Sequence, residues 1–206
     1  MQTILQAALT RNNITITAEQ FTQLILFTEL MQRWNKTFNL TSITDPREIA
    51  YLHIVDSLVV QPFLHGTQLC DVGSGGGLPG IPLAIINPER HWTLLDKNNK
   101  KTRFITQVIA ELGLQNVQAV HQRCEDFQPA TCFDSILSRA FGTLTMFTAV
   151  TQHLLCQDGV FVAMKGKYPQ EELNELPSAF KVTEVTQLDI KGIDIDRHIV
   201  CLRLNK

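Results

Sequence analysis

The sequence predicts an α/β fold: a mostly parallel, seven-stranded sheet closed by an antiparallel hairpin and preceded by a helical extension. Three observations predict it. From residue 67 onward, short apolar runs alternate with helical stretches. The last two apolar runs have no helix-length segment between them, and two amphipathic helical patterns come before the first run.

The first helical pattern opens with Thr17 followed three residues later by Gln20, a capping-box signature. Behind it Phe21, Leu24, Ile25, Leu30, Met31 and Trp34 recur at helical spacing. The second opens at Asp45-Pro46-Arg47-Glu48, an N-cap acid with proline at the first helical position. It is predicted to run towards Phe63, with His53, Asp56 and Ser57 on one face. Predicted strands cover residues 68–72, 91–95, 117–120, 133–137 and 160–163, with helices over 78–86, 101–112 and 144–155 between them. Such alternation gives a parallel sheet with helices on both faces. Residues 180–188 and 198–204 then form the hairpin, joined by a loop over 189–197 that contains Gly192. The expected organisation is a helical extension over residues 1–65 and one compact sheet domain over 66–206.

Composition excludes several classes. A hydrophobic share of 44% and a charged share of 18% describe a globular chain with its own core. No apolar run approaches the ~18 residues of a membrane span, and residues 1–12 lack the pattern of an export signal. The five cysteines are scattered without a C-x-x-C pair, so zinc spacing is missing and a reducing cytoplasm is expected. Cys70 and Cys201 sit in apolar runs as small buried hydrophobes. A net charge of −2 argues against non-specific coating of nucleic acid. It leaves room for a local basic surface at Lys97, Lys100, Lys101 and Arg103, which reads equally well as a solvated helix face.

The most informative stretch is Asp71-Val72-Gly73-Ser74-Gly75-Gly76-Gly77-Leu78-Pro79-Gly80, between the first strand and its helix. Glycines let backbone approach a ligand closely, and the carboxyl edge of an open α/β sheet is where ligands bind. Two cofactors compete. Gly75-x-Gly77-x-x-Gly80 satisfies the dinucleotide fingerprint, with Asp96 21 residues after Gly75. Against NAD stands Asp71, which repels a pyrophosphate and attracts the positively charged methionine end of S-adenosylmethionine. The closing hairpin also suits a class I, Rossmann-like methyltransferase. Asp96 serves ribose hydroxyls in either case, so the balance favours S-adenosylmethionine without excluding NAD. Arg123-Cys124-Glu125-Asp126 follows the third strand, where class I methyltransferases meet adenine; Glu125 reads equally as a helix N-terminal acid.

The fourth strand ends in Ser138-Arg139-Ala140-Phe141, which is neither the Asn/Asp-Pro-Pro-aromatic turn of amine methylation nor a cysteine nucleophile. The acceptor left is an atom with its own lone pair. Guanine N7 is such an atom: no proton must leave before it attacks, so in-line positioning without a general base suffices. His53, Asp56 and Ser57 do not make a hydrolytic triad, because no oxyanion site or nucleophile elbow accompanies them. Their face, with Asn39, is expected to pack over the cofactor cleft.

Trp34-Asn35-Lys36, residues 39–43, residues 53–57, the glycine loop and Ser138-Arg139-Ala140 together resemble the small-subunit ribosomal RNA methyltransferase G family, also called glucose-inhibited division protein B. Gly76 departs from the proline common there in that family. The resemblance implies N7 methylation of one guanine of bacterial 16S rRNA, with cofactor contacts at Gly73, Leu78, Cys124, Glu125 and Arg139. Beside these, Asp71, Gly75 and Asp96 are the expected cofactor residues. Arg139 is the candidate for orienting the base, and Arg123, Lys165, Arg197, Lys100 and Lys101 are candidates for meeting RNA. The expected partner is 16S rRNA, within the small subunit or an assembly intermediate. No metal and no membrane are expected, and the chain is expected to act as a monomer in the cytoplasm.

Overall fold

The computed structural model describes residues 1–205. Its sheet has seven strands: β1 (Gln68–Val72), β2 (His91–Asp96), β3 (Val117–His121), β4 (Phe133–Arg139), β5 (Leu155–Lys165), β6 (Phe180–Gln187) and β7 (His198–Leu204). They lie in the order β3-β2-β1-β4-β5-β7-β6. The first five are parallel, whereas β7 runs antiparallel to both β5 and β6. The order reverses at β1/β4, which opens a crevice at the carboxyl ends of those two strands.

The helical extension begins with α1 (Gln2–Arg11) and α2 (Ala18–Phe38). The sequence pattern does not single out α1, which buries only Leu5, Ala8 and Leu9, too few to show a period. The capping box of α2 forms as expected: Gln20 N donates to Thr17 Oγ1, and Thr17 N donates to Gln20 Oε1. The helix expected from Asp45 towards Phe63 is broken into pieces. Asp45 caps α3 (Pro46–Glu48), a π-helical segment covers Ile49–Val55, and α4 (Asp56–Leu58) is a single turn. Pro62 has no N–H to donate to Leu58, so the helix stops there and a 3₁₀ turn follows.

Between the strands lie α5 (Gly80–Ile86), α6 (Asn99–Leu112), α7 (Leu144–Thr151) and the short α8 (Gln170–Asn174). The core is split by the sheet. On one face α1, α2, α5 and α6 pack through Leu24, Phe27, Phe104 and Trp92; on the other α7 packs through Phe147 on Phe161. Cys70 and Cys201 are buried free thiols, as expected.

The cysteine expectation fails at one pair: Cys132 and Cys156 form a disulfide. Their 24-residue separation conceals it, because only the pairing of Phe133 with Leu155 across β4 and β5 makes them neighbours. Among the described residues no helix is long and apolar enough to cross a membrane.

Candidate functional site

The glycine loop is held by its own turn, where Gly77 N and Leu78 N donate to Ser74 O, and by its neighbours. Gly73, Gly75 and Gly77 have φ of +68°, +57° and +78°, values that cost other residues strain. Gly73 N donates to Leu95 O of β2, and Gly75 N donates to Asp96 Oδ2 at 2.9 Å. The other Asp96 oxygen accepts from Asn98 N at 2.7 Å. Asp96 thus ties the loop to the turn that starts α6.

Asp71 differs from the sequence expectation. It is fully buried beneath the loop, with Oδ2 accepting from Gly80 N at 2.8 Å, so it satisfies an orphan amide at the start of α5. It does not line the cleft. Oδ1 has no hydrogen-bond partner among the described residues. Burial pushes its carboxyl up to about 7, against the opposing pull of the Gly80 amide and Arg139. At neutral pH it is only partly charged, which weakens its role as an electrostatic attractor. Leu78 is likewise buried below the loop and away from the cleft wall.

Of the remaining cofactor candidates, Gly73, Asp96, Cys124 and Glu125 line one cavity, whereas Gly75 only braces it through Asp96 and Arg139 lies outside it. Gly73, Asp96, Lys101, Arg123, Cys124, Glu125, Phe141 and Met146 surround a cavity of about 370 Å³ at the β1/β4 crevice, within the range of roughly 300–1,000 Å³ for small-ligand sites. Burial, then the neighbouring Glu125, pushes the Cys124 thiol up to about 11, so it stays protonated. Met146 was not singled out by sequence, and Phe141 entered only as the end of Ser138-Arg139-Ala140-Phe141; the structure brings both to the cavity beyond the turn after β4, where Ala140 takes φ +61°. Left-handed non-glycine backbone is costly and concentrates at functional sites. Lys100 is exposed outside the cavity.

A second pocket, of about 420 Å³, meets the first at Ala140. Leu52, His53, Arg139, Met164, Lys165 and Arg197 help to line it. Arg139 Nη1 donates to Leu52 O at 2.9 Å and to Asp56 Oδ2 at 3.3 Å. Arg197 Nε donates to Asp56 Oδ1 at 2.6 Å. Lys165 is already committed: its Nζ donates to Glu172 Oε2 and to Gly142 O. Glu172 also accepts from Leu144 N at the start of α7, so this lysine braces α7.

His53, Asp56 and Ser57 are all buried, and the rejection of a hydrolytic triad holds geometrically. Ser57 Oγ donates to the His53 backbone carbonyl, not to its ring. His53 Nε2 lies 3.0 Å from Thr41 Oγ1, while Nδ1 has no hydrogen-bond partner among the described residues. Burial first, and Arg139 second, bring its pKa down to about 4, so the ring is neutral at physiological pH. Asn39 does not join them. It is exposed and ends α2 in the left-handed conformation, while Asn35 Oδ1 accepts from Thr41 N and so holds Thr41 at His53.

The strand order, reversed hairpin and glycine-loop cavity define a class I S-adenosylmethionine-dependent methyltransferase. Solved structures agree on the fold. A glycopeptide N-methyltransferase complexed with S-adenosylmethionine superposes with TM-score 0.64 at 11% identity, over 75% of this chain and 88% of that one. A SAM-dependent methyltransferase from Aquifex aeolicus gives 0.62 at 15% identity, over 81% and 97%. The family model described as rRNA small subunit methyltransferase G (GidB) matches residues 20–200, and the chain belongs to that family. Proteins named ribosomal RNA small subunit methyltransferase G are similar throughout. The one from Vibrio campbellii is 46% identical over 98% of this chain and 96% of that protein. Pasteurella multocida has one that is 46% identical over 97% and 95%. The activity is S-adenosylmethionine-dependent methylation of guanine N7 in 16S rRNA.

Proposed function

We propose that the 370 Å³ cavity holds S-adenosylmethionine and that the pocket beyond Ala140 receives the target guanine. The observation that carries this reading is the junction: a cavity built on glycine backbone and carboxylates meets a pocket walled by guanidinium groups, at a strained turn.

The cofactor fits the residues present. A Cβ on Gly73 would stand 2.9 Å from the Phe141 ring, so only glycine leaves that wall open. Asp96 and Glu125 offer carboxylate acceptors for hydroxyl and amine groups, and Gly73, Gly75 and Cys124 line or support the same wall. When bound, S-adenosylmethionine supplies an electrophilic methyl group on a sulfonium that leaves as a neutral thioether. The chain's own task is then positional. No pocket residue needs to remove a proton, because N7 carries none, and the neutral His53 ring adds no repelling charge beside Arg139. Arg139 orients the substrate nucleotide from the end of β4.

The partner is 16S rRNA in the small subunit or an assembly intermediate, engaged by a monomer in the cytoplasm. Arg123, which lines the cavity, meets RNA phosphates together with Lys100 and Lys101 of α6. The test combines two measurements: calorimetric titration with S-adenosylhomocysteine, and methyl transfer to small subunits from a strain lacking this gene, with mapping of the modified base. Tight binding and one new 7-methylguanine are expected. NADH binding in place of S-adenosylhomocysteine, or transfer to another atom, overturns the reading.

A further inference from the structure

Asp56 is a charged side chain with no exposure, and neither cavity wall includes it. Its two oxygens are divided between guanidiniums from distant parts of the chain, Arg139 at the end of β4 and Arg197 in the link before β7. A buried carboxylate is tolerated only when paired. Here one anion faces two cations, so positive charge is left over. The other N–H groups of both guanidiniums have no hydrogen-bond partner among the described residues, and both side chains line the second pocket.

The segment that carries Asp56 also governs where Arg197 can be. Asn12 and Lys191 exchange hydrogen bonds, Asn12 Nδ2 to Lys191 O and Lys191 N to Asn12 Oδ1, and Arg47 Nη2 donates to Gly192 O. Tyr51 packs so tightly on Gly192 that a Cβ there would lie 2.5 Å from its hydroxyl oxygen. The helical extension therefore clamps the β6–β7 link at several points, and Asp56 is the one that ends at the pocket.

We propose that Asp56 is the positioning residue of the acceptor pocket. It does not touch substrate. It holds Arg139 and Arg197 at a set separation so that their free N–H groups grip the phosphate of the incoming guanine nucleotide. Phosphate is the fitting target, because guanidinium donors pair with its oxygens bidentately. A donor placed on N7 would instead occupy the lone pair that must attack. The helical extension is thus part of the acceptor site, delivered through one carboxylate.

This inference rests on the assignment of the second pocket to the acceptor. Its test is Asp56→Asn in the full chain, with small subunits from the deletion strain as substrate and S-adenosylhomocysteine titration to count intact sites. The expected result is a kcat lower by on the order of 100-fold, with S-adenosylhomocysteine affinity and stoichiometry retained. Retained kcat overturns the proposal. So does a parallel loss of kcat and of binding stoichiometry, which marks Asp56 as a fold residue only. Should Asp56→Asn not fold, Arg197→Lys decides by the same two readouts, because it keeps the cation but removes the Nε donor. Failure of the underlying pocket assignment looks different: Arg139→Ala, which strips the same pocket, then leaves methyl transfer unchanged.

Discussion

The two halves of the cleft are built by opposite means. The glycine-loop side is made of backbone: consecutive residues after β1, held by amides donating to Asp96 and Asp71. The side proposed for the acceptor is made of side chains brought from the extension, β4, β5 and the β6–β7 link, with Asp56 joining two of them. The difference teaches how the fold serves both tasks. A rigid, short-range cradle suits a cofactor that never varies, whereas long charged side chains on separate elements can meet a substrate that arrives inside a large folded RNA.

Damage to one side alone separates the two halves. Arg139→Ala is expected to lower methyl transfer by on the order of 10²–10³-fold, with S-adenosylhomocysteine affinity preserved in calorimetry. The mirror experiment is Gly73→Ala. Left-handed backbone costs alanine about 1–2 kcal/mol, and the new Cβ would press on Phe141. Cofactor affinity should fall by about tenfold or more. Gly75→Ala should cost less, because its Cβ has no neighbour closer than 3.8 Å.

Asp71 sharpens the electrostatic side of the contrast. Its pKa is raised in the folded chain to about 7 from 3.8, so the folded state holds a proton that the unfolded state has released between those values. Stability from this group therefore falls as pH rises from about 4 to 7, and its cost is fully present above 7. Asp71→Asn keeps a carbonyl acceptor for Gly80 N and should be at least as stable as wild type at pH 8. Urea midpoints at pH 5.5 and pH 8 check this: the wild-type-minus-variant difference must shrink at the lower pH. Smallest at the site is the effect of Cys132→Ser with Cys156→Ser. Opening that loop should reduce stability by about 3 kcal/mol, while cofactor affinity and methyl transfer stay unchanged.

Legibility followed the same division. The glycine loop, Asp96 and the segment from Arg123 to Glu125 are contiguous motifs after strands, and Gly73, Asp96, Arg123, Cys124 and Glu125 line one cavity. Asp71 was legible as the acid at the end of β1 but not as a buried acceptor for Gly80 N, because exposure depends on how α5 folds back over β1. Lys165 reads as a free cation until Glu172, seven residues later, is folded against it. The break at Ile49–Val55 was equally hidden, since apolar spacing of three and four does not separate a π-helical turn from an α-helical one.

By itself the sequence determined the strand–helix alternation, the reversed hairpin, the capping of α2 and α3, and a nucleotide-type loop, because each depends on neighbours within a few residues. Only the tertiary structure decided that Arg139, Arg197 and Asp56 form one charged unit. The Cys132–Cys156 disulfide and the clamp of the helical extension on the β6–β7 link were decided there too. Those depend on strand register and on chain segments more than 80 residues apart in the case of Asp56 and Arg139, distances over which no local pattern carries information.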